Sequence, residues 1–214
     1  YETFADLAKA EKIIMGKDVL VTKFEWMKKN FEGFSDEQYV PYTYSSAPFI
    51  ADPLSVQQGY VTSEPYAIER EGGFVPKGFL FADVGYNAYS TTIETSTKLV
   101  EENPDLVKRF VEASIIGWYN YLYGDNAAGN ALIKADNPEM TDEQIAYSIA
   151  KMKELEIVVS GDAVDKGIGC ITEERYVDFF NKLVDIGLYE ASLDATKAID
   201  TQFVCKGLGI DLVK

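Results

Sequence analysis

Apolar positions along the first 85 residues come in short runs broken by glycine and proline, and the periodicity alternates between that of strands and that of helices. "KIIMG" (12–16) is a buried-type run ended by glycine. "VTKFEWMKKNF" (21–31) follows with apolar or aromatic residues at 21, 24, 27 and 31, a helical spacing. "YVPYTYS" (39–45) has strand composition, with Pro41 arguing for an edge position or an early end. "APFIADPLSVQQ" (47–58) reads as helix and turn broken by Pro53. "GYVTS" (59–63) predicts a strand, "EPYAIEREGG" (64–73) a helix and "KGFLFADVG" (77–85) another strand. Strands alternating with helices of this size predict crossover units and a largely parallel sheet.

The texture then changes. "YSTTIETS" (89–96), rich in β-branched residues, is the last strand candidate. Helices are predicted over 103–124, 126–135, 141–157 and 172–187. Asn103-Pro104 offers a cap followed by proline at the first helical position. Thr141 with Gln144 has capping-box spacing, and Gly124 and Gly187 sit where helix C-termini end. The expected class is α/β, with an α/β half followed by a helical half and a seam near residues 84–90. A sheet of about four strands would leave its own edges uncovered, so the chain reads as part of something larger.

Composition narrows the chemistry. The chain has 214 residues, 47% hydrophobic, enough for one substantial core or for a core and a smaller lobe. A net charge of −15 would repel nucleic acid and anionic membrane surfaces. There is no histidine, which removes the commonest general base and zinc ligand. No acid–base pair, nucleophile constellation or metal-ligand spacing stands out, and no cofactor is implied. The two cysteines, Cys170 and Cys205, are read as buried free thiols in preference to a disulfide. No apolar run reaches the roughly 18 residues of a membrane span, and the opening "YETFADLAKAEKIIMGK" has no signal-peptide order.

The candidate site is Glu64, placed where a predicted strand gives way to a helix. Side chains there face the crevice in which open α/β sheets bind ligands. The plain alternative is that Glu64 only caps its own helix, since a carboxylate suits the positive end and Pro65 suits the first turn. Thr62, Ser63 and Tyr66 add hydroxyls and an aromatic face beside the acid. Gly16-Lys17-Asp18 repeats the arrangement one unit earlier, where helix-start N–H groups could meet a polar ligand; it lacks the spacing of a nucleotide-phosphate loop. "DVGYNAYSTT" (83–92) offers Tyr86 and Tyr89 as aromatic walls for a flat ligand. "GWYNYLY" (117–123), inside a long helix, is read as core.

"QQGYVTSEPYAIEREGG", "FADVGYNAYSTTIETS", "NPDLVKRFVEASIIGWYNYLYGD" and "SGDAVDKGIGCITEERYVDFFNKLVDIGLY" together resemble the periplasmic substrate-binding proteins of ABC importers, in the subfamily for thiamine pyrimidine precursors related to sulfonate, taurine and nitrate binders. The resemblance implies a type II two-lobe fold that closes on a small molecule, partnered by an ABC permease and ATPase, in the periplasm or lipid-anchored at the extracellular face. It implies that the N-terminal part of lobe one is missing, that residues 1–85 are lobe two, and that 86–214 are the return hinge strand and helical C-terminal part of lobe one. By the same resemblance Glu64 is the strand-end acid facing the cleft, and Tyr66, Gly16, Lys17, Asp18, Tyr86 and Tyr89 line cleft or hinge. An acid there suits a ligand that donates hydrogen bonds, such as an aminopyrimidine, better than an anion. The alternatives are a sulfonate or nitrate binder, with Lys17 as counter-charge, and a pyrimidine-precursor enzyme, against which the missing histidine counts.

Overall fold

The structure is a computed structural model and describes residues 1–213. The chain divides into two units. One comprises Tyr1–Ala88 with Asp178–Leu193; the other comprises Tyr89–Val177 and Asp194 onward.

In the first unit three short parallel strands form a sheet in the order β2-β1-β3. Strand β1 (Ile13–Met15) is central, β2 (Tyr39–Pro41) flanks one side and β3 (Val56–Gln57) the other, with Ile13 opposite both Tyr39 and Val56. All three residues of β1 are buried, as a continuous apolar run in a covered parallel strand should be. Pro41 ends β2 on the sheet edge, where its missing N–H removes no ladder bond. After Gly16, which is extended, a continuous helical run follows β1: α1 (Lys17–Val19), a π-helical turn (Leu20–Phe24) and α2 (Glu25–Asn30). Short α3 (Ala47–Ala51) precedes β3, and α4 (Glu64–Gly72) follows it, ended by Gly73 in the left-handed conformation. The core is aromatic. Trp26 packs edge-on to Tyr86 at 5.2 Å, Phe4 to Phe81 at 5.2 Å, and Tyr86 to Phe179 at 4.9 Å. Buried Gln38 joins two segments by donating from Nε2 to the carbonyls of Ala8 and Ala10, while its Oε1 accepts from the Ser35 N–H.

Three strand expectations fail. The ladder takes Val56–Gln57, inside the stretch expected as helix and turn, and 59–63 becomes a turn in which the N–H of Ser63 and of Glu64 donate to the Tyr60 carbonyl. Residues 77–85 hold no ladder. Phe81–Val84 form a 3₁₀ turn from which Phe81 and Val84 pack against the core instead. Residues 89–96 are irregular and carry Thr91 at φ 56°. Local β-propensity in these stretches finds no strand to pair with, and pairing and burial, not composition, make a strand.

The second unit is helical: α5 (Thr97–Glu102), α6 (Pro104–Tyr123), α7 (Ala127–Asp136), α8 (Asp142–Glu154), α9 (Asp162–Lys166) and the first turn of α10 (Glu173–Asp185), the helix within which the unit boundary falls. The expected caps form. The side chain of Asn103 accepts from the Leu106 N–H and that of Thr141 from the Gln144 N–H. Helix α6 buries Val107, Val111, Ile115, Tyr119 and Leu122, a stripe at spacings of four and three. The expectation of free thiols is overturned: Cys170 and Cys205 are joined, with their Cα atoms 4.5 Å apart. The fold brings the C-terminal segment back against α6, and this pairs cysteines 35 residues apart in sequence. Gly209, at φ 78°, lies so close to the Tyr119 ring that a Cβ there would sit 2.6 Å from it.

Candidate functional site at the strand ends of the first unit

The order β2-β1-β3 sends successive connections to opposite sides of β1, which makes a topological switch point at the carboxyl ends of β1 and β3. In open α/β sheets this switch point is where ligands bind. Three chain segments converge there. Gly16 follows β1, Tyr42 follows β2, and Gln58 to Glu64 follow β3. The Gln58 Oε1 accepts from the Gly16 N–H and so ties the ends of β1 and β3 together. The Tyr42 N–H donates to the Met15 carbonyl at 2.9 Å, holding the exit of β2 against β1.

Glu64 is fixed from both sides. Its Oε2 accepts from the Tyr60 N–H at 2.7 Å, and its Oε1 lies 3.4 Å from the Tyr42 hydroxyl, which donates to it. The side chain folds back over Gly59, where an added Cβ would come within 3.0–3.3 Å of the Glu64 Cβ, Cγ and Cδ, so a glycine at 59 is what lets the acid lie there. Burial raises the Tyr42 phenol above its ordinary pKa, and the Glu64 charge and hydrogen bond add to the shift, so Tyr42 stays a donor at neutral pH. Glu64 therefore stitches the turn before its own helix, and each carboxylate oxygen keeps a lone pair that a further donor could use.

The other sequence-based candidates separate. Gly16 precedes α1, and Lys17 and Asp18 are exposed on its first turn. Asp18 acts on Lys23, whose amine burial pushes below its ordinary pKa against the pull of that carboxylate. Thr62, Ser63 and Tyr66 are partly buried around the Glu64 turn, and the Tyr66 ring has the Arg70 guanidinium 5.5 Å from its centroid. Tyr86 is not brought to this group. It is 7% exposed, ringed by Trp26, Phe81 and Phe179, and burial pushes its hydroxyl pKa up. Tyr89 belongs to the second unit, where its hydroxyl accepts from the Thr172 N–H at 2.9 Å and Arg175 lies over its ring at 4.3 Å.

The residues the sequence reading missed are Tyr42, Tyr44, Gln58, Gly59 and Tyr60. The strand composition of 39–45 masks Tyr42 and Tyr44, although Pro41 signals an early end to that strand. Tyr44 and Tyr60 are exposed, and the Tyr44 ring lies 5.5 Å from that of Tyr42. Chemically the group can accept hydrogen bonds from a solute at Glu64 and offer it phenol rings.

The sequence profile of the family described as "NMT1/THI5 like" matches residues 18–126, a stretch that includes Tyr42, Tyr44 and Glu64. The riboflavin-binding protein RibY of Chloroflexus aurantiacus is 26% identical over 163 residues, which are 76% of this chain and 46% of that protein, so the chain spans under half the length of that relative. No solved structure matches. With its family profile covering just over half of its residues, the chain belongs to the NMT1/THI5-like family.

Proposed function

We propose that this chain is the solute-binding component of an ABC importer and that it captures a small, polar heteroaromatic compound of the thiamine-pyrimidine-precursor kind, without catalysis. The observation that carries this reading is the Glu64 carboxylate, held by Tyr42 and the Tyr60 N–H at the β1/β3 switch point with acceptor capacity to spare. A carboxylate that a bound solute screens from water selects a ligand edge that donates hydrogen bonds, as amino groups and ring N–H groups do, over an anion. Family membership and a riboflavin-binding relative point the same way. In this reading the partners are a permease and its ATPase, and the protein works in the periplasm or at the outer face of the membrane. The Cys170–Cys205 disulfide fits an oxidising compartment, and among the described residues no helix is long and apolar enough to cross a membrane.

Isothermal titration of the chain with a hydroxymethylpyrimidine, riboflavin, taurine and nitrate tests the proposal. A heterocycle is expected to bind. Glu64→Gln is expected to weaken that binding about ten- to a hundredfold, the loss of a charge-assisted hydrogen bond. Binding of taurine or nitrate with no heterocycle bound would overturn the ligand class.

A further inference from the structure

Tyr44 is 92% exposed and sits at φ 60°, a backbone conformation that side-chain-bearing residues other than Asn and Asp seldom adopt. Nothing in the folding of the first unit calls for a large ring there. The short span that carries it is nonetheless held at both ends. The Tyr42 N–H is bonded to Met15 at one end, and at the other the Gln57 Nε2 donates to the Ser46 Oγ at 2.9 Å, just before α3. The Tyr44 ring is tilted 48° from that of Tyr42, the residue that donates to Glu64. A strained, solvent-facing aromatic, on a span held at both ends and packed on the tyrosine that donates to Glu64, is placed for something outside the chain.

We infer that Tyr44 is a specificity-determining residue whose ring stacks on the flat face of the solute while Glu64 takes the solute's donor edge, an inference that rests on the binding role proposed above. Flat heteroaromatic rings are thereby favoured over aliphatic solutes carrying the same donors, because only a π-face gains from stacking on a phenol.

The test uses riboflavin, read by its fluorescence, and a hydroxymethylpyrimidine, read by calorimetry, on the chain and on Tyr44→Phe, Tyr44→Gly, Tyr44→Asn and Glu64→Gln. Phe keeps the ring and is expected to bind within about threefold of the parent. Gly and Asn accept the backbone without the ring and are expected to weaken binding about ten- to a hundredfold, the loss expected for one ring-on-heterocycle stack, with the melting temperature unchanged or raised. Gly and Asn variants that bind like the parent while Glu64→Gln binds weakly would overturn the role of Tyr44 and leave the site standing. So would a Phe variant as weak as Gly. A parent chain that binds neither probe would overturn both readings.

Discussion

The first unit is held together by rings drawn from distant parts of the chain, whereas the second hangs on one helix and a covalent link. Phe4, Trp26, Phe81, Tyr86 and Phe179 meet in a single cluster although 175 positions separate the first from the last. In the second unit Val107, Val111, Ile115, Tyr119 and Leu122 come from one face of α6, and the segments laid over them are tied by Cys170–Cys205. The opposite side of α6 leaves Phe110 61% exposed. Large rings bring much apolar area per residue, so a small sheet of three short strands can still have a core. A stripe that is aliphatic but for Tyr119 contributes less per residue, and closing the unfolded chain with a disulfide offsets part of that difference. The candidate group around Glu64 belongs to the aromatic unit, where the strand ends are pinned by hydrogen bonds, as a site that must hold its geometry requires.

The sharpest attack on this contrast is Phe24→Ala. Phe24 is fully buried in the ring cluster, and its removal is expected to destabilise the first unit by about 3–5 kcal/mol; a loss below about 1 kcal/mol in denaturant titration would mean the rings are not its main support. Next comes replacement of both cysteines by serine. Opening a loop of sequence separation 35 is expected to cost the second unit up to about 4 kcal/mol. The first unit contains no cysteine, so its backbone amides should keep their exchange protection under reductant. Tyr119→Phe probes the link between helix and loop more finely. The Ile168 N–H donates to the Tyr119 hydroxyl at 3.1 Å in a buried setting, and leaving that donor unpaired is expected to cost about 1–3 kcal/mol, read from the same titrations. The smallest effect is a gain. Tyr44→Gly relieves about 1–2 kcal/mol of left-handed strain and gives part of it back through the freer unfolded chain, for a net stabilisation of at most about 1 kcal/mol. A clear loss of stability would show that Tyr44 supports the fold and is not spare for a ligand.

Local signals in the chain were read well wherever a residue acts on its near neighbours. Asn103-Pro104 and Thr141 start α6 and α8 as their capping chemistry requires, and the apolar run at 12–16 contains β1. Glu64 was visible because a carboxylate followed by proline marks a helix entry. Tyr42 and Tyr44 were not, because whether a tyrosine after Pro41 continues a strand or leaves the sheet depends on what β1 offers it to pair with. The same limit explains 59–63 and 89–96, whose β-branched residues suit strands but meet no ladder. It also explains Tyr86, which has the composition of a site wall and the surroundings of a core residue.

By itself the sequence determined the places of β1 and of the start of β2, the caps that begin α6 and α8, the acidic charge and the absence of histidine chemistry, since these depend on residue type and on spacings of a few positions. The tertiary structure alone decided which β-prone stretches became strands, which tyrosines went inward, that Cys170 meets Cys205, and that Tyr42, Tyr60 and Gly59 surround Glu64. Those outcomes depend on contacts between residues far apart in the chain, and no local pattern encodes which distant partner will arrive.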